Sequence, residues 1–262
     1  MELSLLQGLM LMLIGFICSI DKQTEALYWF RPIVASFFTG IVLGDVELGL
    51  ECGAVAELAY LGMTNVGGTV PPDPLMAGVM TVVISYTTGN SAEASLGLSY
   101  PFALLAQGVG ILLNTAYSIV PQKCDEYIAK GDIKAFKNII VYATILKSLI
   151  IAVLIFLCSY ALQGPVQVFV QTFPEWIIHG FEIAGGILPA VGLAMLLLTT
   201  LTPKTIPYLL IGFLAATFIE MPNVLPVAIL GGALAFISYL NDKNAEEVSA
   251  SADFGGGDID GI

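Results

Sequence analysis

The sequence predicts an all-α membrane protein: a polytopic helical bundle with broken or re-entrant helices. Hydrophobic residues make up 57% of the 262 positions and charged residues only 11%, whereas a soluble domain carries about 25% charge. Mean hydropathy is +0.88. Apolar segments recur along the whole chain, and several are shorter than the roughly 20 residues a plain span requires, the pattern of re-entrant elements.

Each segment has its own justification. Residues 3–20 (LSLLQGLMLMLIGFICSI) carry no charge and reach spanning length. A signal peptide is not the reading: Glu2 precedes the run and Asp21-Lys22 follow it, where a basic n-region and a small-residue cleavage site belong. Segments 32–44 and 47–63 are separated by Gly44-Asp45. Asp45 reads as a turn or cap residue with a site role left open, and Glu47 and Glu51 as the solvated end of a segment. The second segment must end near Asn65-Val66-Gly67-Gly68, because the glycines allow positive φ and Pro71-Pro72 forbid regular helix. Asp73-Pro74 then open segment 74–88, with Asp73 as a good N-cap and Pro74 at the first helical position.

Segments 99–120, 139–162, 183–201, 206–220 and 224–240 follow. Between the first two lies a polar loop, 121–138, with Lys123, Lys130, Lys134 and Lys137. The positive-inside rule places it in the cytoplasm. Counting forward puts 163–182 outside and both the Pro203-Lys204 turn and the C-terminus inside. Counting backward puts Lys22 and Arg31 inside and the N-terminus outside, provided each of the three segments between Arg31 and Asn90 crosses. Residues 1–240 thus form a transmembrane domain. Residues 241–262, acidic and containing Gly255-Gly256-Gly257, read as a disordered cytoplasmic tail.

Composition also excludes functions. A net charge of −12 with nine Lys and Arg argues against nucleic acid. The four cysteines form no CxxC pair and read as buried thiols, neither a metal site nor a disulfide framework. There is no nucleotide-binding G-x-x-x-x-G-K-[ST] loop, no histidine pair for a metal and no Ser/His/Asp set, since His179 is the sole histidine. No cofactor and no catalytic residue are expected in this chain.

The chemistry concentrates in ECGAVAELAYLGMTNVGGTVPPDP, residues 51–74. Glu57 lies mid-segment among Ala, Val, Leu and Tyr, where an unpaired carboxylate costs about 2.5–3.5 kcal/mol and is a functional-site hypothesis by default. Asn65, Gly68, Thr69 and Asp73 add amide, hydroxyl and carboxylate groups around an irregular turn. Such backbone is tolerated at membrane depth only when buried in protein or lining a cavity. A sugar, with several hydroxyls and a ring to accommodate, wants this array. Asp73 also remains readable as a helix cap alone. Glu182 and Gly185-Gly186 suggest a second broken segment opposite the first, and His179 reads as an interfacial or packing residue in the stretch counted as outside.

With these residues in view, RPIVASFFTGIVLGD (31–45), AELAYLGMTNVGGTVPPDP (56–74) and HGFEIAGGILPAVG (179–192) resemble the IIC membrane subunit of the mannose/sorbose-type sugar phosphotransferase system, over residues 3–240. PPDPLMAGVMTVVISYTTG, TIPYLLIGFL and LPVAILG look most like its N-acetylgalactosamine/galactosamine branch. The resemblance implies an elevator-type permease of the bacterial inner membrane, a IID membrane partner, and a trimer of IIC–IID pairs. It also implies cytoplasmic IIA and IIB subunits that phosphorylate the sugar as it enters, and sugar contacts at Glu57, Asn65, Gly68, Thr69 and Asp73. The rival readings are a mannose- or sorbose-specific IIC, a proton-coupled permease using Glu57 and Asp73 as a protonatable pair, and a membrane protein whose acids serve only helix assembly.

Overall fold

Capping chemistry sets where the helices begin and end. In the computed structural model, which describes residues 3–63, 70–161, 164, 174–203, 205–218 and 225–254, α1 (Leu5–Thr24) opens on a capping box. The Gln7 N–H donates to the Ser4 hydroxyl at 3.3 Å, and the Ser4 N–H donates to Gln7 Oε1 at 2.9 Å. α2 (Pro32–Leu43) starts with proline at its first position and closes on Gly44 at φ 82°, a left-handed conformation that favours glycine. Asp45 then caps α3 (Val46–Tyr60) through the Leu48 N–H at 3.0 Å, and Ser91 caps α5 (Ala92–Ala116) through the Ala94 N–H at 3.3 Å. Between them, α4 spans Pro74–Thr88. The remaining described helices are α6 (Ile119–Ala129), α7 (Ile133–Phe156, continued by a π-helical turn Leu157–Ala161), α8 (Glu175–Thr200), α9 (Ile206–Phe218) and α10 (Leu225–Phe254).

Three segments differ from the sequence expectation. The polar stretch 121–138 is helical except at Lys130–Asp132, because Asp132 caps α7 through the Ala135 N–H at 2.9 Å and Glu126 pairs with Lys130 one turn on, at 2.7 Å. The glycines at 185–186 do not break α8, which runs through them and through Pro189. α10 crosses the 240/241 boundary without interruption, its polar end NAEEVSASA being rich in Ala and Glu, both good helix formers.

By compactness the chain divides into Met1–Leu197 and Leu198–Ile262. In the second unit, α9 packs on α10. In the first, α4 is the buried centre: Leu75, Met76, Val79, Met80, Val82 and Ile84 are wholly inaccessible, and α2, α3 and α5 surround it. α2 and α3 form a hairpin that packs backbone on backbone. A Cβ on Gly49 would stand 2.8 Å from both Gly40 Cα and Ser36 O, so only glycine admits this approach. The Ser36 hydroxyl donates across to Gly78 O at 3.0 Å, tying α2 to α4.

α1 lies antiparallel to α7. Gly8 packs on Tyr160 and Gly15 on Ile155, while Gln23, at the other end of α1, donates to Ser148 Oγ at 2.6 Å. Large apolar side chains such as Leu6, Leu112, Tyr142 and Leu146 are exposed. Among the described residues, four stretches are long and apolar enough to cross a membrane: Leu5–Thr24, Ala92–Ala129, Ile133–Ala161 and Trp176–Thr200. By contrast α2 and α3, of 12 and 15 residues, measure about 18 and 22 Å against a hydrocarbon core of about 30 Å.

The glycine hairpin makes a direct prediction. Gly49→Val forces α2 and α3 apart and lowers stability by about 1–3 kcal/mol, read as a lower Tm of the purified protein. Gly108→Ala, with no atom within 4 Å of its new Cβ, does not lower Tm, since alanine is the better helix former inside α5. Equal Tm values for the two variants would contradict the packing described.

Candidate functional site

The end of α1, the start of α2, the end of α3 and the start of α4 meet at one level, and each brings a charge. Arg31, the N-cap residue of α2, is extended at φ −63° and ψ 142°. Its Nε donates to Glu57 Oε1 at 2.7 Å, and Nη2 donates to the same oxygen. The other carboxylate oxygen, Oε2, accepts from the Ile33 N–H at 3.3 Å. Glu57 thus supplies α2 with the acceptor that its first turn lacks, and its negative charge sits favourably at that positive end. Both side chains are mostly covered, at 25% exposure for Arg31 and 19% for Glu57.

Asp73 is held from two sides. Its Oδ1 accepts from the Met76 N–H at 2.9 Å, capping α4, and its Oδ2 accepts from Lys22 Nζ in the last turn of α1. The Asp73 N–H donates to Ala103 O of α5 at 3.1 Å. One helical turn further along α5, the Gln107 amide donates to Val70 O. The cap and site readings of Asp73 are therefore compatible, since one oxygen caps while the other faces a cation.

Gln23, next to Lys22, bonds Ser148, which lies about 16 Å along α7 from Lys137 at 1.5 Å per residue. Charges set among apolar helices need counter-ions, and in both pairs each charge has one. The premise that Glu57 is unpaired is corrected: its partner is Arg31, which the crossing count places only on the inner side.

Asn65, Gly68 and Thr69 lie outside the described residues. What is described are the two ends of their segment: α3, fixed by Arg31–Glu57, and Val70–Asp73, fixed by Gln107, Ala103 and Lys22. Sequence reasoning missed Lys22, Arg31 and Gln107. It also missed Tyr60, whose hydroxyl is buried on the last turn of α3 without a hydrogen-bond partner among the described residues. A cation flanking an apolar segment was the available signal for the first two, and it fits a membrane boundary equally well. His179 stands exposed on α8, its Nδ1 3.2 Å from Glu182. Among the described residues no group of three or more His, Cys, Asp or Glu could hold a metal ion.

Comparison with known proteins decides the family. Residues 5–237 match the PTS system sorbose-specific IIC component. The chain belongs to that family. It is 43% identical to the N-acetylgalactosamine permease IIC component 1 of Escherichia coli, covering 94% of this chain and 92% of the relative. Identity is 28% to the fructose permease IIC component of Bacillus subtilis, over 97% and 95%, and 26% to the mannose-specific EIIC component of Escherichia coli, over 90% and 89%. A solved membrane-protein structure matches with a TM-score of 0.82 at 25% identity, over 91% of this chain and 97% of that one. The mannose transporter ManYZ, solved with a microcin, matches at 0.59 and 26% identity, over 92% and 97%. This IIC component is thus a multi-pass permease subunit of the inner membrane with an all-helical fold of several apolar spans.

The two ion pairs predict strong coupling. In a double-mutant cycle, Arg31→Met and Glu57→Gln should show an interaction energy of about 0.5–3 kcal/mol in thermal unfolding, with Arg31→Met alone the more damaging because it strands a carboxylate. Additive effects would show that the pair does not form in the membrane.

Proposed function

We propose that this IIC permease moves an amino sugar, of the N-acetylgalactosamine or galactosamine kind, at a site made by Glu57, Asn65, Gly68, Thr69 and Asp73. The identity gap carries the choice of sugar: 43% to the N-acetylgalactosamine permease component against 28% and 26% to the fructose and mannose components. The paired carboxylates support the site. Each has a cation that keeps it in place, and each can accept a sugar hydroxyl. The buried Tyr60 hydroxyl offers a donor at the same end of α3.

Phosphorylation falls to partners. Cytoplasmic IIA and IIB subunits relay the phosphoryl group, and this chain supplies binding and passage. A IID membrane subunit pairs with it, and the pairs form a trimer; the likeness to the ManYZ structure supports the pairing. The short α2–α3 hairpin, too short to span, suits a re-entrant element in an elevator-type carrier. The antiparallel packing of α1 on α7, with Lys22 at the end of α1 nearer the lysine-rich α6–α7 turn, supports an orientation with Lys22 and Arg31 toward the cytoplasm. The polar end of α10 and the residues after it belong to a cytoplasmic tail in the same scheme.

A proton-coupled permease is the weaker reading, because protonating Glu57 or Asp73 would leave Arg31 or Lys22 without its counter-ion. Vesicle uptake separates the two. Transport of N-acetylgalactosamine should require phosphoenolpyruvate and the soluble phosphocarriers and ignore an imposed proton gradient. Glu57→Gln, which also costs stability by leaving Arg31 without its counter-ion, should lower uptake per assembled complex about tenfold or more, from loss of a charge-assisted hydrogen bond. Wild-type uptake by that variant, or uptake driven by the gradient alone, would overturn the proposal.

A further inference from the structure

Tyr60 ends α3 at only 2% exposure, and among the described residues its hydroxyl has no hydrogen-bond partner. A buried donor without an acceptor costs stability, so its presence calls for a reason. Its place in the fold supplies one. Glu57 lies three residues earlier on α3, so the two side chains are neighbours on the helix surface, with Cβ atoms about 5–6 Å apart. Tyr60 also shares a buried cluster with Ala77 of α4 and Ala103 of α5. Both of these bond to Asp73: the Ala77 N–H donates to Asp73 O at 3.0 Å, and the Asp73 N–H donates to Ala103 O at 3.1 Å. The phenol therefore stands next to both ends of the candidate site.

The phenol and the carboxylates ask different things of a sugar. Glu57 and Asp73 are acceptors, and each is already matched by a cation, Arg31 or Lys22. The phenol brings a donor, and the cluster around it, Ala56, Ala59, Ala77, Leu96 and Ala103, has apolar side chains only. An acetamido group suits those surroundings: its carbonyl oxygen accepts from the phenol O–H, and its methyl is at home beside alanine. A free amino group does not. Near neutral pH it takes up a proton and can only donate, leaving the phenol unpaired. It would also bring surplus positive charge to two carboxylates already matched.

We infer that Tyr60 is a specificity-determining residue: its hydroxyl donates to the acetamido carbonyl oxygen of N-acetylgalactosamine and so favours the acetylated sugar over galactosamine. A buried polar group of a site discriminates most against the analogue that leaves it unpaired. The inference rests on the proposed sugar site and goes beyond it by choosing between its two sugars and naming the residue that chooses.

Calorimetry on the purified membrane complex tests it with N-acetylgalactosamine and galactosamine. Wild type should bind the acetylated sugar more tightly. Tyr60→Phe keeps the ring and removes only the hydroxyl. It should weaken N-acetylgalactosamine about tenfold, and shrink the preference over galactosamine by the same factor. Its Tm without sugar should hold or rise, because a buried group lacking a partner has been removed. An unchanged preference, whether both affinities hold or both fall alike, would overturn the inference and leave the sugar site standing. A lower Tm of the sugar-free variant would make the hydroxyl a structural contact and overturn it too. Wild type binding neither sugar would overturn the proposed function as well.

Discussion

Charge in hydrocarbon must be matched, and the first unit of this protein is arranged around that requirement. Lys22, Arg31, Glu57 and Asp73 come from the ends of four different helices and cancel in two pairs. Neither pair is only a neutralisation. Glu57 also supplies the missing acceptor at the start of α2, and Asp73 supplies the cap of α4. Helix ends that would be costly inside a membrane are thereby satisfied by the same groups that carry the charge. Helices as short as α2 and α3 can then end inside the bundle.

The close packing around α4 serves the same end. Gly40 and Gly49 let α2 and α3 touch through their backbones, and Ser36 joins that hairpin to α4. A hairpin packed so tightly fixes the distance between Arg31 and Glu57. α1 and α5 close the other side, with Lys22 on Asp73 and Gln107 on Val70. The described residues on either side of 64–69 are thus held by groups from the surrounding helices: α3 by Arg31, and Val70–Asp73 by Gln107, Ala103 and Lys22.

Much of this was legible in sequence because it depends on local chemistry. Gly44, Asp45, Asp73-Pro74 and the apolar runs announce helix ends directly, and α2, α3 and α4 begin and end within a few residues of the expected positions. Residue pairs far apart in the chain were not legible. Nothing in the spacing of Arg31 and Glu57, or of Lys22 and Asp73, says that they meet. A cation beside an apolar segment reads as a membrane boundary until the fold shows the carboxylate it pairs with. Glycines misled in the opposite direction at Gly185-Gly186, where α8 continues because one glycine packs against the Glu93 backbone of α5. The lysine-rich stretch misled through composition: Lys and Glu signal solvent, and they also favour helix.

The central claim is that the residues bracketed by the two ion pairs hold the sugar. A cryo-electron microscopy structure of the assembled complex with N-acetylgalactosamine bound tests it most directly. The account predicts density for the sugar between Glu57 and Asp73, with hydroxyls on both carboxylates and contacts to Asn65, Gly68 and Thr69. Sugar bound elsewhere, with both ion pairs intact and the 64–69 segment untouched, would contradict it.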